Sequence, residues 1–190
     1  GTKSNLIIEG VVNKNNSVFL NKINFAESKN FIKVKNINLN SKKKLKRIDQ
    51  IDVDLVNNND QISQLNIKRK KSNYSINSKI FDGAKILDRI LFSKTEGNFF
   101  DVFEKLNSKI SINLNTIYIT NEDYLNGFKA DIIVNNNQIK DLILSSQFST
   151  KEDLKLSIKT NSKNERTTDL FAGNAKPLVK KYDFIKGFEG

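Results

Sequence analysis

Apolar residues recur at every second position in many short runs of this chain, and polar turn-forming residues separate the runs. In one such run Ile51, Val53 and Leu55 alternate with Asp52 and Asp54, which gives the segment one apolar side and one charged side. This alternation is typical of β-strands with one buried face. Because the runs follow one another through short turns, they predict a meander of antiparallel strands and not the βαβ units of a parallel sheet.

Two irregularities are predicted within this pattern. Ile110, Ile112 and Leu114 alternate, and the phase then shifts to Ile117 and Ile119, which indicates a β-bulge. The dipeptide Asn126-Gly127 is either a two-residue hairpin turn or a bulge inside a longer strand. A clear turn is expected at residues 135–137, between the runs "FKADIIV" and "QIKDLIL".

In the middle of the chain the spacing of apolar residues changes to one that is typical of α-helices. In "FDGAKILDRILF", Asp82 can act as the N-cap of a short helix. In "NFFDVFEKLN", the apolar residues Phe99, Val102, Phe103 and Leu106 fall on one helical face. A third short helix is expected in the C-terminal stretch "NAKPLVKK".

These elements predict a mainly β fold, in which an extended, curled antiparallel sheet forms a groove or trough with about three short capping helices. We expect one segment of a larger protein over residues 1–190, with strands in 1–80, a helical insertion in 81–107, strands in 108–173, and a capping helix and loop in 174–190. So few helices cannot cover the apolar face of a large sheet. The sheet therefore either closes as a barrel or sandwich or leaves its apolar face for another molecule.

The residue types present give little material for catalysis. The chain has no Cys and no His, which removes thiol nucleophiles, imidazole bases and the usual zinc ligand sets. The neighbouring carboxylates Glu122-Asp123 and Glu152-Asp153 point to opposite faces if they lie in strands. The spacing of Asp49, Asp52 and Asp54 lacks the glycine and distal Glu of a calcium loop. We therefore expect no enzyme, no cofactor and no metal site.

A formal net charge of +11 raises the question of an anionic partner. The basic residues are spread along a chain that is also rich in Asn and Ile, so part of the charge follows from composition. Two clusters, "SKKKLKR" and "KRKK", both lie between predicted strands, where solvation alone can explain them. The candidates for contact with a lipid headgroup or another polyanion are Lys42, Lys43, Lys44, Lys68 and Arg69.

The C-terminal stretch "DLFAGNAKPLVKKYDFIKGFEG" closely resembles a segment of the AsmA-like periplasmic proteins of the YhdP group, in which strands end in a small-residue turn, a short helix and a Gly-marked return to the sheet. The upstream "SKIFDGAKILDRIL" is similar to a second hallmark of that group, with Ala84-Lys85 where the group usually carries an Arg-Pro pair. The resemblance covers about residues 75–190, and residues 1–74 match only in their strand character.

The resemblance implies a part of a periplasmic protein that is anchored in the inner membrane of a Gram-negative bacterium and carries phospholipid along a hydrophobic β-groove toward the outer membrane. Membrane contact would then be made through regions outside this fragment, since its apolar runs are far shorter than the roughly 18 residues of a membrane span. We expect phospholipid acyl chains as the partner and no nucleic acid. The predicted groove lining is Ile110, Ile112, Leu114, Ile132, Val134, Ile143, Leu154, Leu156 and Ile158.

Three other interpretations remain open from the sequence. The chain could be a structural or adhesive β-module with a closed core and no lipid cargo. It could be a basic nucleic-acid or polyanion binder, although it lacks the aromatic platform of single-strand binders. It could also be an enzyme of unrecognised type. Each predicted lining residue could instead be an ordinary residue of a hydrophobic core.

Overall fold

The structure is a computed structural model that describes residues 3–56, 62–83, 99–120, 123–174 and 176. It confirms a mainly β fold, and the strands form one open sheet. The strands are β1 (Ser4–Val12), β2 (Val18–Glu27), β3 (Asn30–Leu39), β4 (Leu45–Val56), β5 (Ile62–Lys70), β6 (Asn73–Asp82), β7 (Ser108–Tyr118), β8 (Tyr124–Asn135), β9 (Gln138–Phe148), β10 (Asp153–Thr160) and β11 (Arg166–Ala172).

The eleven strands lie side by side in their order along the chain. Neighbours are antiparallel, as predicted, except that β6 and β7 are parallel. The prediction of an uninterrupted meander is wrong at this one place. Parallel strands start at the same end of the sheet, and the connection between Asp82 and Ser108 is long enough to lead the chain back to the end where β6 starts. Among the described residues, β1 and β11 each have one strand neighbour, so the sheet has two open edges.

The three predicted capping helices are not seen in the described residues. The segment "NFFDVFEKLN" contains a 3-10 helix, Phe99–Val102, instead of an α-helix. Its next residues bond to neighbouring segments: the Glu104 N–H donates to the Leu45 carbonyl (2.9 Å) and the Leu106 N–H donates to Asn137 Oδ1 (2.6 Å). These bonds replace the intrahelical ones that a short isolated helix forms only weakly. The helix predicted after Asp82 and most of 174–190 lie outside the described residues.

Local conformation explains the irregular places in the sheet. Asn136 and Asn137 have φ values of 50° and 63°, which fit a type I′ turn and confirm the predicted turn between β8 and β9. Gly127 has a φ of 58° within β8, where the register to β9 shifts between Asn126 and Lys129. Asn126-Gly127 is therefore a bulge inside a strand and not a hairpin turn.

Two apolar clusters make up the core. The first joins β7, β8, β9 and β10 around Ile119 and Phe148, whose side chains are almost fully buried. The second lies where residues 99–106 pack against the starts of β6 and β7, and it includes Tyr74, Phe100 and Leu106. Leu114, Ile117 and Ile119 are all buried, which confirms the predicted change of phase in β7. The core is thus concentrated in the central and C-terminal strands.

Candidate functional site

An unbroken row of aliphatic residues crosses the sheet from one open edge to the other. Each strand contributes one residue, and each residue is the direct cross-strand partner of the next. With strands about 4.8 Å apart, the row is about 48 Å long. Its members are Ile8, Ile23, Val34, Ile51, Ile67, Ile76, Ile112, Ala130, Leu144, Leu156 and Leu170.

We call the side of the sheet that carries this row the apolar face. Directly paired residues lie on the same face of a sheet, so register assigns further residues to it. Ile110 pairs with Ile132, and Ile132 pairs with Leu142, which pairs with Ile158. Leu114, Val134 and Leu154 belong to the two core clusters of this face. The structure therefore brings together eight of the nine predicted lining residues: Ile110, Ile112, Leu114, Ile132, Val134, Leu154, Leu156 and Ile158.

Ile143 is the exception, because it lies on the opposite face. Its cross-strand partners are Asp131 and Ser157, and its side chain is 61% exposed. Leu142, Ile143 and Leu144 are consecutive apolar residues, so alternation alone did not determine which of them face the core. The strand register places Leu142 and Leu144 on the apolar face and excludes Ile143 from it.

The apolar face is exposed at both of its ends. On β1 the side chains of Leu6, Ile8 and Val12 are largely exposed. On β11 Leu170 is 58% exposed and follows Leu156 in the row. The face therefore offers solvent-accessible aliphatic surface at each open edge, while its centre is buried or half-buried.

The opposite face is mainly polar in the middle of the sheet. Asn66 Nδ2 donates to Asp52 Oδ1, and Gln64 Nε2 donates to Asp54 Oδ2 at 3.3 Å. Further along the sheet, Ser111 Oγ donates to Asp131 Oδ1 at 2.6 Å. This hydrogen bond, together with the charge of Lys109, holds the pKa of Asp131 below its ordinary value. In the middle of the sheet the two faces thus differ in chemistry, whereas Ile133, Ile143 and Phe171 are exposed apolar residues of the opposite face.

The predicted headgroup contacts do not form one compact site. Lys42, Lys43 and Lys44 lie in or beside the β3–β4 turn and are exposed. Lys68 and Arg69 lie within β5 and not between strands as predicted, and because they are consecutive their side chains start on opposite faces. Arg69 pairs with Tyr74 in the register and forms an ion pair with Asp49 (Nη1 to Oδ1, 3.5 Å). The three lysines are consecutive at the β3–β4 turn, whereas Arg69 lies in β5.

The three aspartates considered for calcium are each engaged by side chains of the protein. Asp49 binds Arg47 and Arg69, Asp52 accepts hydrogen bonds from Gln50 and Asn66, and Asp54 accepts one from Gln64. Within the described ranges, acidic residues form no group of three that could hold a metal ion. The same ranges contain no helix of the length and hydropathy needed to cross a membrane.

Residues 99–107 cover one border of the apolar face. The Lys46 ammonium forms an ion pair with Glu104 (3.8 Å), and Asn137 Nδ2 donates to the Phe103 carbonyl (3.1 Å). Asn136 N–H donates to Asn107 Oδ1 at 2.8 Å. This segment therefore spans from the start of β4 to the β8–β9 turn and places Phe100 and Leu106 against the core.

Comparison of the chain with protein families, curated proteins and solved structures finds no match in any of the three. Function must therefore be argued from the site itself. Of the eleven members of the row, only Ile112 and Leu156 were predicted as lining residues, and the other nine, Leu144 and Leu170 among them, were missed. A signal for Leu144 was present in the sequence, because it follows Leu142 at a spacing of two.

Proposed function

We propose that this chain binds phospholipid acyl chains along its apolar face, which forms the floor of a curled trough, and that it does so as a non-enzymatic part of a lipid-carrying protein. The observation that carries the proposal is the row of aliphatic residues that passes without a polar interruption through all eleven strands. A row in direct register gives a continuous surface and not a set of separate apolar patches.

The energetics favour such a surface as a path for acyl chains. The transfer of each CH₂ group from water to apolar surroundings is favourable by a free energy of about 0.8 kcal/mol. A trough that contacts an acyl chain along its whole length lowers the cost of moving the lipid through water. The charged headgroup can stay in solvent beside the trough, since the polar face and the turns lie outside it.

The open edges distinguish this proposal from a structural module with a closed core. A closed module would bury its apolar face within a second layer or a barrel. Here β1 and β11 are not joined to each other in the described part of the chain, and the face is exposed on both. The resemblance to the AsmA-like proteins supports the same proposal, with the periplasm of a Gram-negative bacterium as the place of action and phospholipid as the cargo.

Mass spectrometry of organic extracts from protein purified without detergent tests the proposal. We expect phospholipid in a near-stoichiometric amount with the native chain. Leu156→Asp puts a charge on the apolar face, so the bound phospholipid should be lost. Ser145→Asp is the matched control, because it makes the same change in net charge on the opposite face, where Ser145 pairs with Lys129 and Lys155.

Circular dichroism must show that both variants are folded. Lipid retention by Ser145→Asp and its loss from Leu156→Asp would support the trough. Equal retention by the two folded variants, or a native protein that carries no lipid, would contradict it and favour the structural module.

A further inference from the structure

We propose that one long border of the sheet docks on the surface of an anionic lipid bilayer. This border, called the basic rim below, consists of the β1–β2, β3–β4, β5–β6, β8–β9 and β10–β11 turns together with residues 99–107. The proposal goes beyond the binding of acyl chains in the trough, because it concerns a different surface and a different contact. It rests on the placement of the charges and on an exposed apolar side chain among them.

Hydrogen bonds gather lysines from separate segments at this rim. Lys43 Nζ donates to the Asn16 carbonyl (2.7 Å), which ties the β3–β4 turn to the β1–β2 turn that carries Lys14. Lys44 Nζ donates to the Asp101 carbonyl, which ties the same turn to residues 99–107. The β1–β2 turn, the β3–β4 turn and residues 99–107 are thus tied together, and the first two of these segments carry Lys14 and the three lysines of the β3–β4 turn.

No carboxylate of the described residues forms an ion pair with the three lysines of the β3–β4 turn. Lys43 and Lys44 donate to backbone carbonyls, and none of the ion pairs between described residues includes Lys42, Lys43 or Lys44. The described turns of the opposite rim carry both signs of charge, with Lys29 in the β2–β3 turn, Asp123 before β8, and Lys151 beside Glu152 in the β9–β10 turn. Among the described residues of the turns, three consecutive lysines occur only at the β3–β4 turn.

An exposed apolar side chain identifies a bilayer as the partner that fits best. Val102 ends the 3-10 helix at this rim and is 60% exposed. It follows Asp101, whose carbonyl accepts the Lys44 hydrogen bond, so it lies beside the lysine cluster. Basic residues around an apolar side chain suit the headgroup and acyl boundary of an anionic membrane. A nucleic acid backbone would use the lysines but would give Val102 no apolar surrounding.

Docking through this rim would lay the long axis of the sheet along the membrane surface. The trough would then be held next to the bilayer that supplies or receives its lipid. Since the contact is electrostatic in large part, it should weaken as salt is raised, because exposed charges are screened over about 10 Å at 0.1 M ionic strength.

Vesicle flotation tests the proposal. The native chain should bind vesicles that contain phosphatidylglycerol and should bind poorly to vesicles of phosphatidylcholine alone. Replacing Lys42, Lys43 and Lys44 together with Gln should weaken binding on the order of a hundredfold, since each lysine near an anionic surface contributes about a fivefold gain. The control replaces Lys3, Lys29 and Lys151 with Gln. It removes the same charge from exposed positions at the opposite border and should change binding little.

The variant Val102→Ser separates a bilayer from another polyanion. It should bind phosphatidylglycerol vesicles about threefold or more weakly and bind heparin as the native chain does. Equal losses from the two triple variants, or vesicle binding that does not depend on Val102, would overturn the proposal. The variant Leu170→Asp should still bind vesicles while it loses carried lipid, so docking and lipid carriage can fail separately.

Discussion

Phe148 and Phe171 show how position decides what a single side chain contributes. Phe148 is almost fully buried in the first core cluster, whereas Phe171 lies on β11 and is 58% exposed. Phe148→Ala removes a large buried side chain and leaves a cavity, so the free energy of unfolding should fall by about 3–5 kcal/mol. Phe171→Ala should change it by less than about 0.5 kcal/mol. Urea unfolding of both variants measures these values, and similar losses would contradict the assigned core.

Tyr74 is a partly buried phenol whose surroundings change its pKa. Burial raises its pKa above the ordinary value of 10.0, and the Asp49 carboxylate acts in the same direction. A hydrogen bond from the Ile48 backbone and the charges of Arg69 and Arg47 lower it by less.

The raised pKa predicts the pH dependence of stability. The folded state holds the phenol proton more tightly than the unfolded state, so this contribution is fully present below pH 10.0 and is lost as the pH rises through the folded pKa. Tyr74→Phe should therefore reduce the loss of stability that the native chain shows above pH 10.0. Urea midpoints measured on both sides of this pH test the prediction, and identical pH profiles for the two proteins would contradict it.

At the scale of single elements, the strands were the most predictable part of the fold. Their alternation reflects one apolar and one polar face, and several turns carry Asn at positive φ, which Asn tolerates better than most residues. The α-helix predicted from the apolar spacing of residues 99–106 is wrong, because this spacing does not show which other groups can hydrogen-bond to the backbone. Leu45 and Asn137, distant in sequence, supply those hydrogen bonds. Ile143 was misplaced for the related reason that register depends on the neighbouring strands.

The segment 99–107 depends on the side chain of Asn137. Asn137 Oδ1 accepts from the Leu106 N–H, and Nδ2 donates to the Phe103 carbonyl. Asn137→Gly keeps the positive φ but removes both bonds, so it should cost about 1–3 kcal/mol of stability and speed amide exchange in residues 99–107. Asn136→Gly is the control, since Asn136 also has a positive φ and its bond to Asn107 is made by its backbone. Equal effects of the two substitutions would contradict this role.

At the scale of the whole molecule, stability should be graded across the sheet. Strands contact mainly their neighbours, the most buried side chains belong to β7, β8 and β9, and every residue of β1 is exposed. We expect amides in the centre of β7–β9 to exchange at least about tenfold more slowly than those of β1. Native-state hydrogen exchange followed by mass spectrometry measures this gradient. Uniform protection of all strands would contradict it.

The proposed function requires that the apolar face, and not the sheet surface in general, contacts lipid. Leu170 and Phe171 allow a direct comparison, because they are consecutive on β11, equally exposed at 58%, and on opposite faces. A photoreactive amino acid at each position, activated in the presence of phospholipid vesicles, would report which side meets acyl chains. We expect lipid crosslinks from position 170 and a background signal from position 171. Equal crosslinking at both positions, or crosslinking only at 171, would contradict it.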